Sequence, residues 1–266
     1  MSQSPLLVRP QRRSDGVEHL ITPESAGWTY VGFETRKLPR DGRVTLASTP
    51  RERCIVVLSG RARVFAPGFE SGVIGERQSV FDGSPWSVYA PPNLEMSIEA
   101  VEDCELAVCS APAVGKLPPR VITPQDVEVV DRGVGTNLRH VRNVLSETAP
   151  AESLLVVEVI TPGGHWSSYP SHKHDQDKPP HESLLEETYY HRVDPPQGFA
   201  FQRVYTDARD LDETIAVNDR DVVLVPRGYH PVAAPHGYHL YYLNVMAGPK
   251  RVWRFHNDPD HAWLMR

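Results

Sequence analysis

Short apolar runs alternate with polar and turn-forming residues along this chain, and no stretch keeps a helical apolar period over several turns. The runs are rich in Val, Leu, Ile, Tyr and Phe and are punctuated by 25 prolines and 18 glycines. Strands are expected in the first half at 28–33, 43–47, 53–58, 60–65, 87–90, 95–100 and 104–110, with turns at Ser59-Gly60, Pro67-Gly68 and Pro91-Pro92-Asn93. In the second half they are expected at 153–161, 184–193, 199–205, 212–217, 221–226 and 238–246. Short strands with turns about every eight to twelve residues predict an all-β sandwich or jelly-roll barrel.

A proline-rich stretch at 111–119 and a polar segment running through Asn143 separate the halves. The organisation read from this is an N-terminal barrel over 1–115, a linker and bridging segment over 116–150, and a C-terminal barrel over 151–266. Internal similarity points to duplication. The stretch 52–60, opening on Glu52, resembles 187–193, opening on Glu187, and Val88-Tyr89-Ala90-Pro91-Pro92 resembles Val223-Leu224-Val225-Pro226-Arg227.

At 266 residues with 40% hydrophobic content, the chain is long enough to fold around its own core without staples. A formal charge of -6, with no basic run beyond Arg12-Arg13, argues against a nucleic-acid partner. The N-terminus lacks the apolar core of a signal peptide, and no stretch approaches the ~20 apolar residues of a membrane span, so a soluble, cytoplasmic protein is expected. Cys54, Cys104 and Cys109 show no CxxC spacing and read as reduced, buried and structural.

The chemistry is concentrated in the second half. None of the twelve histidines falls between positions 20 and 139, which confines metal binding to the second barrel. His172 and His174 are two apart, so in an extended chain both point to one face. A carboxylate opens the next aromatic strand, and His230 follows the turn Pro226-Arg227-Gly228 after an apolar strand. Glu187 is preferred over Glu186 because it is in phase with Tyr189 and His191; His236 is the alternative to His230. Three imidazoles and a carboxylate suit one divalent ion among Zn, Mn, Fe, Ni and Co. His165, His181 and His261 read as solvated, and His256 as packed at the surface.

The ordered set of HxH, Glu and turn-borne His resembles the cupin superfamily. The match is more specific in Asn143-Val144-Leu145, Ser168-Tyr169-Pro170-Ser171-His172-Lys173-His174-Asp175, Leu185-Glu186-Glu187-Thr188-Tyr189-Tyr190-His191-Arg192, Pro226-Arg227-Gly228-Tyr229-His230-Pro231 and the closing 241–249. Together these resemble the 5-deoxy-glucuronate isomerase family of bicupins, shared with 4-deoxy-5-keto-uronate ketol-isomerase. The twelve residues between His174 and Glu187, more than the general cupin pattern has, suggest an insertion at 176–185.

The resemblance implies two double-stranded β-helix barrels, with a metal held by His172, His174, Glu187 and His230. It implies a metal-dependent aldose–ketose isomerase that converts 5-deoxy-D-glucuronate to 2-deoxy-5-keto-D-gluconate in myo-inositol degradation. Such a reaction needs a Lewis acid and a base that moves a proton through an enediol, or a hydride shift. Tyr189, His191 and Tyr242 are the candidates for the base. Arg142, Arg192, Arg203 and Arg227 are candidates to meet the substrate carboxylate. The ligand set alone leaves open an iron dioxygenase or a non-catalytic sugar-binding bicupin. The partner expected is a small sugar acid, not a membrane; homo-oligomerisation is left open.

Overall fold

The computed structural model describes residues 4–11 and 13–265; Arg12 of the basic pair and the first three residues of the N-terminus lie outside them. Among the described residues regular structure is almost wholly extended, with helix confined to Pro23–Ala26 and two 3₁₀ segments, Gly135–Asn137 and Pro259–Met265. Among the described residues no helix is long and apolar enough to cross a membrane. The chain forms two compact units. One comprises Gln11–Glu128 and Asn143–Val156; the other comprises Val129–Arg142, Val157–Arg266 and the segment up to Pro10.

The first unit packs a six-stranded against a four-stranded antiparallel sheet. The larger runs in the order Arg120–Ile122, Ser87–Ala90, Arg51–Ser59, Cys104–Pro112, Gly32–Leu38, Val17–Ile21. The smaller runs Arg43–Leu46, Met96–Ala100, Ala62–Ala66, Phe69–Ile74. Alternate residues of each strand face inward. Ile55, Val57, Val88, Ile98, Leu106 and Val108 therefore meet in one apolar interior. The three cysteines are buried here and unbonded to one another.

The second unit repeats the plan. Its larger sheet runs Leu7–Val8, Val222–Val225, Glu186–Asp194, His239–Ala247, Leu155–Thr161, Arg139–Leu145, Glu128–Arg132. Its smaller sheet runs Trp166–Ser167, Val232–Ala233, Phe199–Tyr205, Asp212–Asn218. The ladders give the correspondence residue by residue. Ile55 lies opposite Val88, and Tyr189 opposite Val223; Val57 lies opposite Leu106, and His191 opposite Tyr242.

This register corrects the internal alignment. Arg53 pairs with Ala90 as Glu187 pairs with Val225, so the counterpart of Glu187 is Arg53, not Glu52. A one-residue slip turns a side chain to the other face of the sheet. Glu52 accordingly points away from the apolar interior, accepting the Tyr89 hydroxyl at 2.7 Å and the backbone N–H groups of Glu152, Ser153 and Leu154 at 2.6–2.9 Å.

Two other expectations are adjusted. Residues 28–31 are an irregular bend rather than a strand, with Trp28 Nε1 donating to Val31 O at 2.7 Å, and the strand starts at Gly32. The stretch 116–150 contains Arg120–Ile122, Glu128–Arg132 and Arg139–Leu145, whose polar content hides their alternation. The clearest departure from the first barrel lies beside the site. Arg43–Leu46 reaches Arg51–Ser59 through residues 47–50 alone, whereas Trp166–Ser167 reaches Glu186–Asp194 through residues 168–185. That longer passage carries His172–Lys173, which pairs with His256–Asn257, and a hairpin of Asp175–Lys178 with Glu182–Leu184.

Candidate metal centre

His172 and His174 come from this inserted passage, Glu187 from the start of the strand Glu186–Asp194, and His230 from the turn after Val222–Val225. That turn needs Gly228: its φ is +88°, and a Cβ there would lie 2.4 Å from Tyr205 O. Ligand atoms of the three imidazoles lie within 4.8 Å of one another. Glu187 Oε2 is 3.1 Å from His174 Nε2 and 3.3 Å from His230 Nε2.

Backbone carbonyls fix the rings from behind. His174 Nδ1 donates to Leu185 O at 3.1 Å and His230 Nδ1 to Gly228 O at 2.8 Å, while the His172 ring bonds the backbone of Pro170. Such bonds select the tautomer and leave the other nitrogen's lone pair for the cluster. His230 Nε2 is fully buried and makes no hydrogen bond despite its closeness to Glu187. An orphaned buried nitrogen beside two further imidazoles and a carboxylate has the donor chemistry of a site for a divalent transition metal.

Electrostatics favour the neutral ring at His172 and His230 but not at His174. Burial pushes His172 down to about 3, helped by His174 and the positive charge of Arg139 and Arg132. Burial likewise pushes His230 down to about 3. For His174 burial acts downward too, but the hydrogen bond and charge of Glu187 and the Leu185 carbonyl outweigh it, and its pKa is raised.

Beyond the cluster lies an aromatic and hydroxyl layer. The Tyr189 and Tyr242 rings are 4.9 Å apart, and Ser168 Oγ is 2.9 Å from the Tyr189 hydroxyl. Burial raises both phenol pKa values, so both hydroxyls keep their protons. His191 stacks behind Tyr189 at 5.9 Å, and its Nε2 is 2.9 Å from Gln202 Oε1. Burial pushes it down to about 4.

His172, Glu187, Tyr189, Tyr242, Ser168 and Asn244 line a recess of about 30 Å³, together with Arg132, Arg139 and Trp253. An adjoining cavity of about 270 Å³ shares Arg132, Arg139, His172 and Trp253 with it. His191 lines neither.

The other expected residues sit elsewhere. Glu186 is turned to the opposite face from Glu187, and His236 is exposed. Arg142 pairs with buried Glu158, Arg192 with Asp219, Arg203 with Asp212 and Arg227 with Asp210, and none of the four lines the recess or its neighbour. Arg132, Arg139, Ser168, Asn244 and Trp253 were not anticipated. Asn244 was within reach of the period-two argument, since it is in phase with Tyr242 on the strand His239–Ala247.

The sequence model of the KduI/IolB family matches residues 6–264. The 5-deoxy-glucuronate isomerase of Geobacillus kaustophilus is 55% identical over 246 residues, covering 92% of this chain and 89% of that protein. The Bacillus subtilis strain 168 protein of the same name is 48% identical over 266 residues, 98% of each chain. The crystal structure of an IolB-like protein from Salmonella typhimurium LT2 superposes with a TM-score of 0.97 at 52% identity, covering 99% of this chain and 100% of that one. An oxalate decarboxylase from Lactobacillus farciminis superposes with a TM-score of 0.69 at 14% identity, over 97% of this chain and 89% of that one, a likeness of bicupin fold alone. This two-barrel chain is an isomerase and belongs to the KduI/IolB family.

Proposed function

We propose that the chain is a divalent-metal-dependent aldose–ketose isomerase that converts 5-deoxy-D-glucuronate to 2-deoxy-5-keto-D-gluconate, with His172, His174, His230 and Glu187 as the metal ligands. The observation that carries the reading is the convergence of three carbonyl-anchored imidazoles on one point beside Glu187, at the foot of a cavity lined by hydroxyl and guanidinium groups. The names of the relatives supply the substrate.

The conversion adds and removes nothing. One hydrogen moves from the hydroxyl-bearing carbon to the aldehyde carbon, and the hydroxyl hydrogen ends on the former aldehyde oxygen. A divalent ion held by His172, His174, Glu187 and His230 would supply Lewis acidity toward the aldehyde and its neighbouring hydroxyl. The side chains have complementary tasks. The protonated hydroxyls of Tyr189 and Tyr242 donate to the substrate oxygens, and Ser168 and Asn244, bonded to Tyr189, hold that donor in place. His191, outside the recess, supports the tyrosine layer through its stacking on Tyr189 and its edge contact with Tyr242 at 5.9 Å.

The test joins metal content to turnover. Purified protein should hold about one divalent ion per chain and convert the aldehyde to the ketone by NMR. His172→Ala and Glu187→Ala should lose both ion and turnover. Unchanged metal content in both variants would overturn the ligand assignment.

A further inference from the structure

Resting on that reading and deepening it, we infer that Arg139 and Arg132 receive the carboxylate of the sugar-acid substrate and so direct its aldehyde end toward the imidazole cluster. Both arginines line the recess and the wider cavity, and both are partly buried. Arg139 Nη1 donates only to backbone carbonyls, Asn137 O at 3.1 Å and Tyr169 O at 3.5 Å. Arg132 lays its guanidinium over the Trp253 ring, 5.4 Å from the centroid. Among the described residues neither has a carboxylate at ion-pair distance, whereas Arg142, Arg192, Arg203 and Arg227 each have one.

Two guanidinium groups facing one cavity without a counter-ion repel each other and lose hydration, a cost that an anion between them offsets. Burial lowers the Arg139 pKa and the neighbouring Arg132 lowers it further. The pair is also built into place. Gly133 adopts φ +79°, and a Cβ there would lie 2.2 Å from Asn137 O and 2.8 Å from Arg139 Nη1, so only glycine lets the backbone fold back and set Arg139 beside Arg132. A guanidinium fork matches a carboxylate with two parallel hydrogen bonds, which fixes direction as well as affinity. With the carboxylate held at this end, the carbonyl end of the chain is left for Glu187, Tyr189 and the imidazoles.

The test uses metal-loaded enzyme and two probe pairs. Turnover is measured on 5-deoxy-D-glucuronate and on 5-deoxy-D-glucose, which carries CH2OH in place of the carboxylate; equilibrium binding is measured with D-glucuronate and D-glucose. The wild type should prefer the acid in both assays. Arg139→Gln and Arg132→Gln should each cut that preference by roughly tenfold to hundredfold, mostly in KM, with metal content unchanged, and Arg139→Lys should keep part of it. A wild type that does not prefer the acid, or a preference that neither glutamine variant lowers, overturns the inference. If D-glucuronate binds in an Arg139-dependent way but nothing is isomerised, the carboxylate subsite stands and the proposed reaction fails. If 5-deoxy-D-glucuronate is isomerised with the acid preference intact in both variants, the reaction stands and the subsite fails.

Discussion

Where Ile55 and Val57 pack with Val88, Leu106 and Val108 in the N-terminal barrel, the same ladder positions of the C-terminal barrel hold Tyr189, His191, Val223, Tyr242 and Asn244. Hydrogen bonding along a strand is indifferent to the side chain, so one plan supports an apolar filling and a polar one. The polar filling is only partly satisfied by partners, Gln202 for His191 Nε2, Ser168 for Tyr189 and backbone carbonyls for the cluster, while His191 Nδ1 and His230 Nε2 have none among the described residues. The mouths differ in the same sense. Arg53, the counterpart of Glu187, is tied to Leu94 O, Thr49 Oγ1 and the carbonyl of Ala47, stitching the rim of its own barrel. Glu187 instead faces imidazoles.

This contrast can be broken at several points. The largest effect is expected from His230→Ala, which should weaken metal binding by more than the roughly 10–100-fold typical of residues behind the ligands, as read by metal titration. Arg53→Lys, at the position corresponding to Glu187, should leave metal content per folded chain unchanged. Next comes Glu52→Ala, which strips four donors of a buried acceptor and should cost about 4 kcal/mol in chemical denaturation, with the metal site intact.

A smaller effect is expected from pH. The native His191 stays neutral down to about pH 4, whereas the unfolded chain takes up its proton below about 6.5. Stability is therefore full above about 6.5 and falls as pH drops toward 4, by about 3 kcal/mol through this group. His191→Phe should remove that part of the slope, and parallel pH profiles for the variant and the wild type would refute it. Smallest is Ile55→Val, a one-methylene loss in the apolar barrel, at about 1 kcal/mol by denaturation and without effect on turnover.

The all-β architecture was legible because period-two alternation and proline or glycine turns repeat along both halves. His172, His174, Glu187 and His230 were legible as a group for a related reason: spacing on an extended chain fixes facing, and facing is what brought them together. What was hidden depended on partners far away in the chain. Arg142 and Arg203 look as available as Arg139 until Glu158 and Asp212 are seen beside them. The counterpart of Glu187 was misplaced by one residue because similarity of composition does not carry register, whereas the pairing of Arg53 with Ala90 does. The strands inside 116–150 were masked by polar residues at exposed positions such as Glu128 and Asp131.

The short strand Leu7–Val8 pairs with Val222 and Val223, and Arg9 bonds Asp221 across 212 residues of sequence. During synthesis at about 5–20 residues per second, this segment emerges roughly 10–40 s before the strand it must join. Until then it is an unpaired edge, and the C-terminal barrel's sheet lacks its flanking strand. Completion of that sheet thus waits for residues 222–225 and also needs the chain's beginning to be free to join it, so a bulky fusion placed against Leu6 should delay the appearance of activity more than the folding of the first barrel.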